Sequence, residues 1–407
     1  MPDMRIASLA EDGRLEELIA FNAKVHGINE TFMSRMLAHS PESNNPAFHK
    51  YLIKDDRIIA GASVIPHKMV WHGTEIQAGE IGLVGTLEEH RKQGYCSALM
   101  ESCIEAMKSD GLPMSFLWGI PDFYQQFHYH YAFPNHSTPY VIMPRICIEG
   151  MSPTGEVRKA EPNDLWWIQK LYRAYNSELT GCVVRSRQLW EWIIHLTEES
   201  DQSMWLVPED PMGGYLLVAG KPPKVWEVAA PSENSLKNLV LGAFKTYPEL
   251  DSLGFCHHPD MPIGQWLYKW GARIASVEDI WQGTWGGMVR ILNLAELLKA
   301  MSGKLQFRLG NSRFYKYTGS ISIETEVGEA TICIVDGEIS VQSCKAGSQS
   351  LHMPASVITP LLTGYRGFGR YRSEFTDFAK DMCDLLAVLF QRDRAFVNPL
   401  LYVDEYF

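Results

Sequence analysis

The 407-residue chain is 46% hydrophobic and 21% charged, with a formal net charge of −11. Its length exceeds one ordinary core, so two or three domains are expected. The acidic balance argues against a nucleic-acid surface and favours cationic partners. No apolar run approaches a membrane span, and the opening "MPDMRIASLAEDGR" lacks the long apolar stretch of a signal peptide. The eight cysteines are scattered without a CxxC pair, which suits a reducing compartment. A soluble cytoplasmic protein is the expectation.

Up to about residue 145 the chain reads as mixed α/β. A strand-like "MRIASL" precedes "RLEELIAFNAKVHG", whose apolar residues fall at roughly helical spacing. A strand meander follows over residues 49–87, with turns at "KDDR" and "HGTE". Then "GYCSALMESCIEAMKSDG" places Cys96, Leu99, Met100, Cys103, Ile104 and Met107 on one helical face, with Gly111 just past the end. "MSFLWGI" is a short buried strand, and "PDFYQQFHYHYAF" a short helix running into another strand.

A second α/β stretch opens near Gly155, with the helical segments "LWWIQKLYRAYN" and "NSLKNLVLGAFKTY" and the strands "YLLVAG" and "KVWEVAA". The tryptophans of "DLWWIQ" and "LWEWII" read as core or domain-interface residues. A third section begins near Gly286. It alternates like strands, carries an Asp336-Gly337 hairpin signal, and ends in two helical segments. Three domains are expected, at residues 1–150, 151–285 and 286–407.

The stretch "HRKQGYCSALM" puts Arg91, Lys92 and Gly94 where a strand meets a helix. Backbone N–H groups and the helix dipole make such a turn an anion site, which the two cations reinforce and a glycine leaves open. A pyrophosphate fits there. The turn is not the GxxxxGK[ST] phosphate loop, which disfavours a nucleoside triphosphatase.

"VGTLEEHRKQGYCSALM" resembles the acetyl-CoA motif of the GCN5-related N-acetyltransferases, and "DFYQQFHYHYAF" resembles that family's later FYxxxGF segment. Cys96 stands where Gly or Ala is usual, and His128 where Gly is usual. "QWLYKWGA" echoes the second motif with Leu267 at the tyrosine position, and "PSENSLKNL" has no basic turn, so the second domain reads as a degenerate copy. The whole pattern is similar to the Eis-type (enhanced intracellular survival) N-acetyltransferases, whose last domain resembles sterol carrier proteins. The fold class so implied is α/β (α+β), with tandem acetyltransferase-like domains and a C-terminal sterol-carrier-like α+β domain.

The resemblance implies transfer of acetyl from acetyl-CoA to a primary amine of a cationic substrate, such as an aminoglycoside, a polyamine or a lysine side chain. It places the catalytic tyrosine at Tyr124 and the amine-side base at the C-terminal carboxylate of Phe407, with Glu80 as the rival. Val84, Gly85 and Thr86 would pair with the pantetheine arm. Lys92, Gln93, Gly94, Tyr95, Cys96 and Ser97 would hold the pyrophosphate, and Gly119 and Ile120 would flank the thioester. A tyrosine hydroxyl (reference pKa ~10) protonates a thiolate (thiol ~8.5) uphill unless its own pKa is lowered. Family members tend to form homo-oligomers, and no metal is required.

Metal candidates in the residues are weak. Cys256, His257 and His258 are adjacent and do not converge easily on one ion. His128 and His130 would share one strand face without a third ligand. A different class of function, a carrier of a hydrophobic ligand that only senses acetyl-CoA, would require a long apolar tunnel in the last domain.

Overall fold

The computed structural model describes residues 4–135, 138–199, 203–207, 213–275, 286–344 and 349–396. Six strands come first: β1 (Met4–Ser8), β2 (His49–Lys54), β3 (Arg57–Trp71), β4 (Thr74–Thr86), β5 (Met114–Gly119) and β6 (His130–Phe133). Seven follow: β7 (Val141–Pro144), β8 (Arg158–Lys159), β9 (Ser203–Leu206), β10 (Tyr215–Ala219), β11 (Lys224–Ala229), β12 (Ser252–Phe255) and β13 (Arg273–Ile274). The last five are β14 (Gly286–Ile291), β15 (Gly319–Thr325), β16 (Gly328–Val335), β17 (Glu338–Gln342) and β18 (Gln349–His352). Two compact units result: Met1–Phe133 with Gln282–Asp393, and Pro134–Trp281 with Arg394–Phe407.

In the first unit one sheet runs β1-β2-β3-β4-β5-β14-β6. The expected turns close its meander: Asp55 and Asp56 at one end, and His72 (φ 48°) with Gly73 (φ 86°) at the other, all in the left-handed region that a two-residue hairpin needs. Helix Leu15–His26 packs Phe21 against Gly61 of β3, where any Cβ would meet the ring at 2.8 Å. Helix Tyr95–Ser109 buries Leu99, Met100, Cys103, Ile104 and Met107, as its periodicity predicts, and leaves Cys96 half-buried.

The C-terminal section of this unit is a second sheet, β17-β16-β15-β18. Asp336 (φ 51°) and Gly337 (φ 84°) form the turn their dipeptide announces. Ile321, Ile323, Ile332 and Ile334 form its buried face, with helix Leu294–Ala300 packed over β16. The tip of the β3–β4 hairpin is fastened to this section. Trp71 Nε1 donates to the Leu297 carbonyl (3.2 Å), and His72 Nε2 lies 2.6 Å from the Leu362 carbonyl oxygen.

The second unit holds a sheet ordered β13-β7-β12-β11-β10-β9-β8. Tyr172, Trp190, Tyr215 and Trp226 form one side of its core, around a buried ion pair in which Arg185 meets both oxygens of Glu227 at 3.1 and 2.8 Å. Trp190 is core, as expected, but Trp166 is 66% exposed because it projects from the outer face of helix Leu165–Asn176. The described part of the chain ends in this unit. Phe396 is buried beside Tyr140, Leu179, Cys182 and Met261, and its N–H donates to the Thr180 carbonyl (2.9 Å).

Candidate active site

β4 and β5 run parallel but stay paired for only three rungs, Ala78↔Met114, Gly79↔Ser115 and Glu80↔Phe116. Beyond Glu80 the strands part, β4 continuing to Thr86 and β5 to Gly119. Each is held on its outer side, β4 by β3 and β5 by β14. A positive φ at Leu83 (51°) marks an irregular stretch of β4 past the divergence. Val84, Gly85 and Thr86 lie on this stretch, which has no pairing to β5 although β3 still pairs with Gly85 and Thr86, and all three are half-buried. Gly85 also serves packing: a Cβ there would strike Val25 of helix Leu15–His26.

After Thr86 the chain turns through a 3₁₀ segment, Glu88–His90, into helix Tyr95–Ser109. Gly94 stands at the N-cap with φ 83° and ψ −3°, and Lys92 has φ 60°. Space beside Gly94 is open, so backbone conformation is what calls for glycine here. A glycine offers no capping side chain, and the N–H groups at the start of a helix have no intrahelical partner, which leaves those of Tyr95, Cys96 and Ser97 for an anion. Arg91 Nε donates to the Thr86 carbonyl (3.3 Å), and the exposed Gln93 donates from Nε2 to the Glu89 carbonyl (3.2 Å). Sequence reasoning missed Lys54, whose Nζ donates to the Tyr95 hydroxyl (3.1 Å) and adds a cation beside the helix start.

The third wall is the turn after β5. Ile120 is 43% exposed. Tyr124–Phe127 form a 3₁₀ turn closed by His128 in the left-handed conformation (φ 57°). His128 therefore does not share a strand face with His130, which begins β6; the expected pair of strand histidines is corrected. The backbone keeps the geometry that glycine would favour, with histidine in its place. β14 buttresses this turn: Arg290 donates to the Phe127 carbonyl, and Met288 packs beneath Gly119.

Tyr124 is buried, its ring edge-on to Phe123 (4.9 Å) and Tyr129 (6.3 Å). Its hydroxyl makes no hydrogen bond among the described residues. Burial, with a smaller contribution from the nearby Cys96 thiol, pushes its pKa well above the ordinary tyrosine range. Tyr124 is thus protonated throughout the physiological range and is a weaker acid than a free tyrosine. Burial also raises the Cys96 thiol, opposed in part by the Thr86 hydroxyl. Tyr129 is core, with its hydroxyl donating to Ser115 Oγ (2.8 Å). Tyr131 is only half-buried, lying against Gly286.

Glu80 occupies the last rung of β4 that pairs with β5, with its Oε2 2.9 Å from His67 Nε2. His67 was not singled out in the sequence, although a turn centred on His72-Gly73 places it on the same face as Glu80. Phe407 lies outside the described residues.

The second unit has the matching topology with different chemistry. β11 and β12 are parallel and paired at Val225↔Phe255. The helix after β11, Glu233–Thr246, is capped by the Ser232 hydroxyl, which accepts from Ser235 N–H (3.0 Å). Glu233 adds a negative charge to its first turn, and Leu267 is fully buried. Among the described residues this capped, acidic helix start contrasts with the side-chain-free start at Gly94. Among the described residues no group of three or more His, Cys, Asp or Glu is placed to hold a metal ion.

Residues 9–132 match the family described as acetyltransferase (GNAT) domain. No curated protein matches the chain. Among solved structures it is similar to a GCN5-related N-acetyltransferase from Anabaena variabilis, with 12% identity over 97% of this chain and 99% of that one (TM-score 0.74). A probable N-acyltransferase from Enterococcus faecalis shares 15% identity over 98% and 100% of the two chains (TM-score 0.74). Eis1 from Mycobacterium abscessus shares 14% identity over 98% and 99% (TM-score 0.68). At these identities the likeness is one of fold, and it extends over nearly the whole chain.

Proposed function

We propose that the first unit transfers an acetyl group from acetyl-CoA to a primary amine of a cationic substrate. The observation that carries this reading is the parting of β4 and β5 between a side-chain-free helix start at Gly94 and the largely buried side chain of Tyr124. In this reading the backbone of Val84, Gly85 and Thr86 pairs with the pantetheine arm. Lys92, Gln93 and the N–H groups from Gly94 to Ser97 hold the pyrophosphate, while Gly119 and Ile120 flank the thioester.

The neutral amine attacks the carbonyl carbon, the C–S bond breaks, and Tyr124 presents its proton to the departing sulfur. Its elevated pKa makes full transfer uphill in the resting site, so its hydrogen bond to the developing thiolate contributes most. The amine proton goes to a carboxylate, that of Phe407 as the Eis-type resemblance implies, or Glu80. An aminoglycoside, a polyamine or a lysine side chain all present the required charge, and the net charge of −11 suits any of them. A sterol-carrier-like role for the last section, assembly into homo-oligomers and a cytoplasmic location belong to the same family-based reading.

The test is acetyl-CoA turnover against a panel of amines, read as free thiol. Amine-dependent thiol release supports the reading. Tight acetyl-CoA binding without turnover on any amine would favour a sensor instead. Extending the C-terminus by a short tag separates the two bases: lost turnover with intact acetyl-CoA binding assigns Phe407, and full activity assigns Glu80.

A further inference from the structure

The β3–β4 hairpin carries a polar pair whose second member has no part in the scheme above. Ile65 is the cross-strand partner of Glu80, and His67 lies two residues along the same face of β3. His67 Nε2 and Glu80 Oε2 are 2.9 Å apart. The imidazole is buried, with its ring 5.8 Å from that of Phe116, the partner of Glu80 on β5. The carboxylate keeps 16% of its side chain accessible. Glu80 therefore sits on the last rung before the strands part, with His67 behind it on β3.

Two further ionisable groups face this corner. Glu42, from the turn before β2, acts on His67 as a second negative charge. His49 is hydrogen-bonded to Ser63 Oγ (2.7 Å) and the Ser43 carbonyl oxygen (2.6 Å), and its burial favours the neutral form. Burial alone would strip the proton from His67 as well. Its hydrogen bond and charge interaction with Glu80, helped by Glu42, outweigh that and hold its pKa above the ordinary value.

We propose that His67 is a positioning residue for the acetyl transfer, holding the Glu80 carboxylate fixed at the mouth of the parted strands, where it receives the cationic amine. The inference rests on the acetyltransferase reading and holds whichever carboxylate takes the proton. A buried imidazolium is costly unless an anion needs it, and this one faces a carboxylate that still reaches solvent.

Two variants test it. Glu80→Gln removes the anion, and the NMR titration midpoint of the His67 ring should fall by about one pH unit or more. His67→Asn keeps an N–H donor and removes the cation. Its KM for the amine should match the parent at pH 8 and rise several-fold more than the parent's at pH 5.5, with acetyl-CoA affinity unchanged. An unmoved His67 midpoint in Glu80→Gln, or parallel pH dependences of the amine KM, would overturn the proposal. The titration needs no turnover, so it still reads the pair if no amine is acetylated. If His67→Asn does not fold, His67→Gln repeats the KM comparison.

Discussion

The ring of Tyr124 rests on the bare backbone of Gly119: a Cβ there would meet Tyr124 Cδ2 at 2.8 Å, Leu117 Cδ1 at 2.8 Å and Met288 Sδ at 2.6 Å. The glycine thus sets how close the tyrosine lies to the strand that flanks the thioester in the proposed reaction. Gly119→Ala should displace the ring, lower kcat by ten-fold or more, and cost about 1–3 kcal/mol of stability as overpacking does. Steady-state kinetics and thermal unfolding check both effects. Unchanged kcat would show that the placement of Tyr124 has slack.

Tyr124→Phe removes only the hydroxyl. The chain should fold and bind acetyl-CoA as before, while kcat drops by about 10²–10⁴-fold. Single-turnover measurements remove any masking by product release. The alkaline side of the rate profile should carry no titration from Tyr124, because burial has moved its pKa above the ordinary range.

Acetyl-CoA should bind once per chain. Gly94→Val forces a branched side chain into φ 83°, which disfavours the turn, and calorimetry should show binding lost. Ser232→Ala uncaps the equivalent helix in the second unit and should cost about 0.5–2 kcal/mol of stability, with stoichiometry still one. Two bound molecules in the parent protein would contradict the contrast between the two helix starts.

Arg290 should matter to a residue it does not touch. Arg290→Met removes the donor to the Phe127 carbonyl and frees the turn that carries Tyr124. The expected result is a larger effect on kcat than on acetyl-CoA affinity, partly restored in Arg290→Lys.

His257 predicts a pH effect on stability. It is fully buried, with Nε2 unpartnered among the described residues, and desolvation, aided by the neighbouring His258, pushes its pKa down to about 3. The unfolded chain binds that proton near pH 6.5, so the stability contribution is complete above pH 6.5 and is lost as pH falls towards 3. The slope approaches about 1.4 kcal/mol per unit in that window. Denaturant titrations at pH 7 and pH 5 should show it, and His257→Phe should flatten it.

The legible part of the site was local. A turn between strand and helix announces itself through Arg91, Lys92 and Gly94, and helical periodicity located the buried face of Tyr95–Ser109 in all but Cys96. The missing part depends on pairing between distant segments. Arg290 buttresses Tyr124 across more than 160 residues, and no local pattern joins them. His67 and Glu80 are an intermediate case, since the turn at His72-Gly73 fixes their register once its centre is known. Trp166 misled because helical spacing says which residues share a face, and not which face is covered.

The position of β14 between β5 and β6 bears on how the chain acquires its structure. During synthesis the first 133 residues emerge with β5 lacking its antiparallel neighbour, and β6 has none until residues 286–291 arrive. The first sheet must wait, open-edged, while the whole of the second sheet's sequence is made. That order gives long-range contacts a slow entropic closure and leaves exposed strand edges in the interim. A ribosome-bound nascent chain of the first 150 residues should therefore be protease-sensitive near Tyr124 and gain protection only after Ile291 has cleared the exit tunnel.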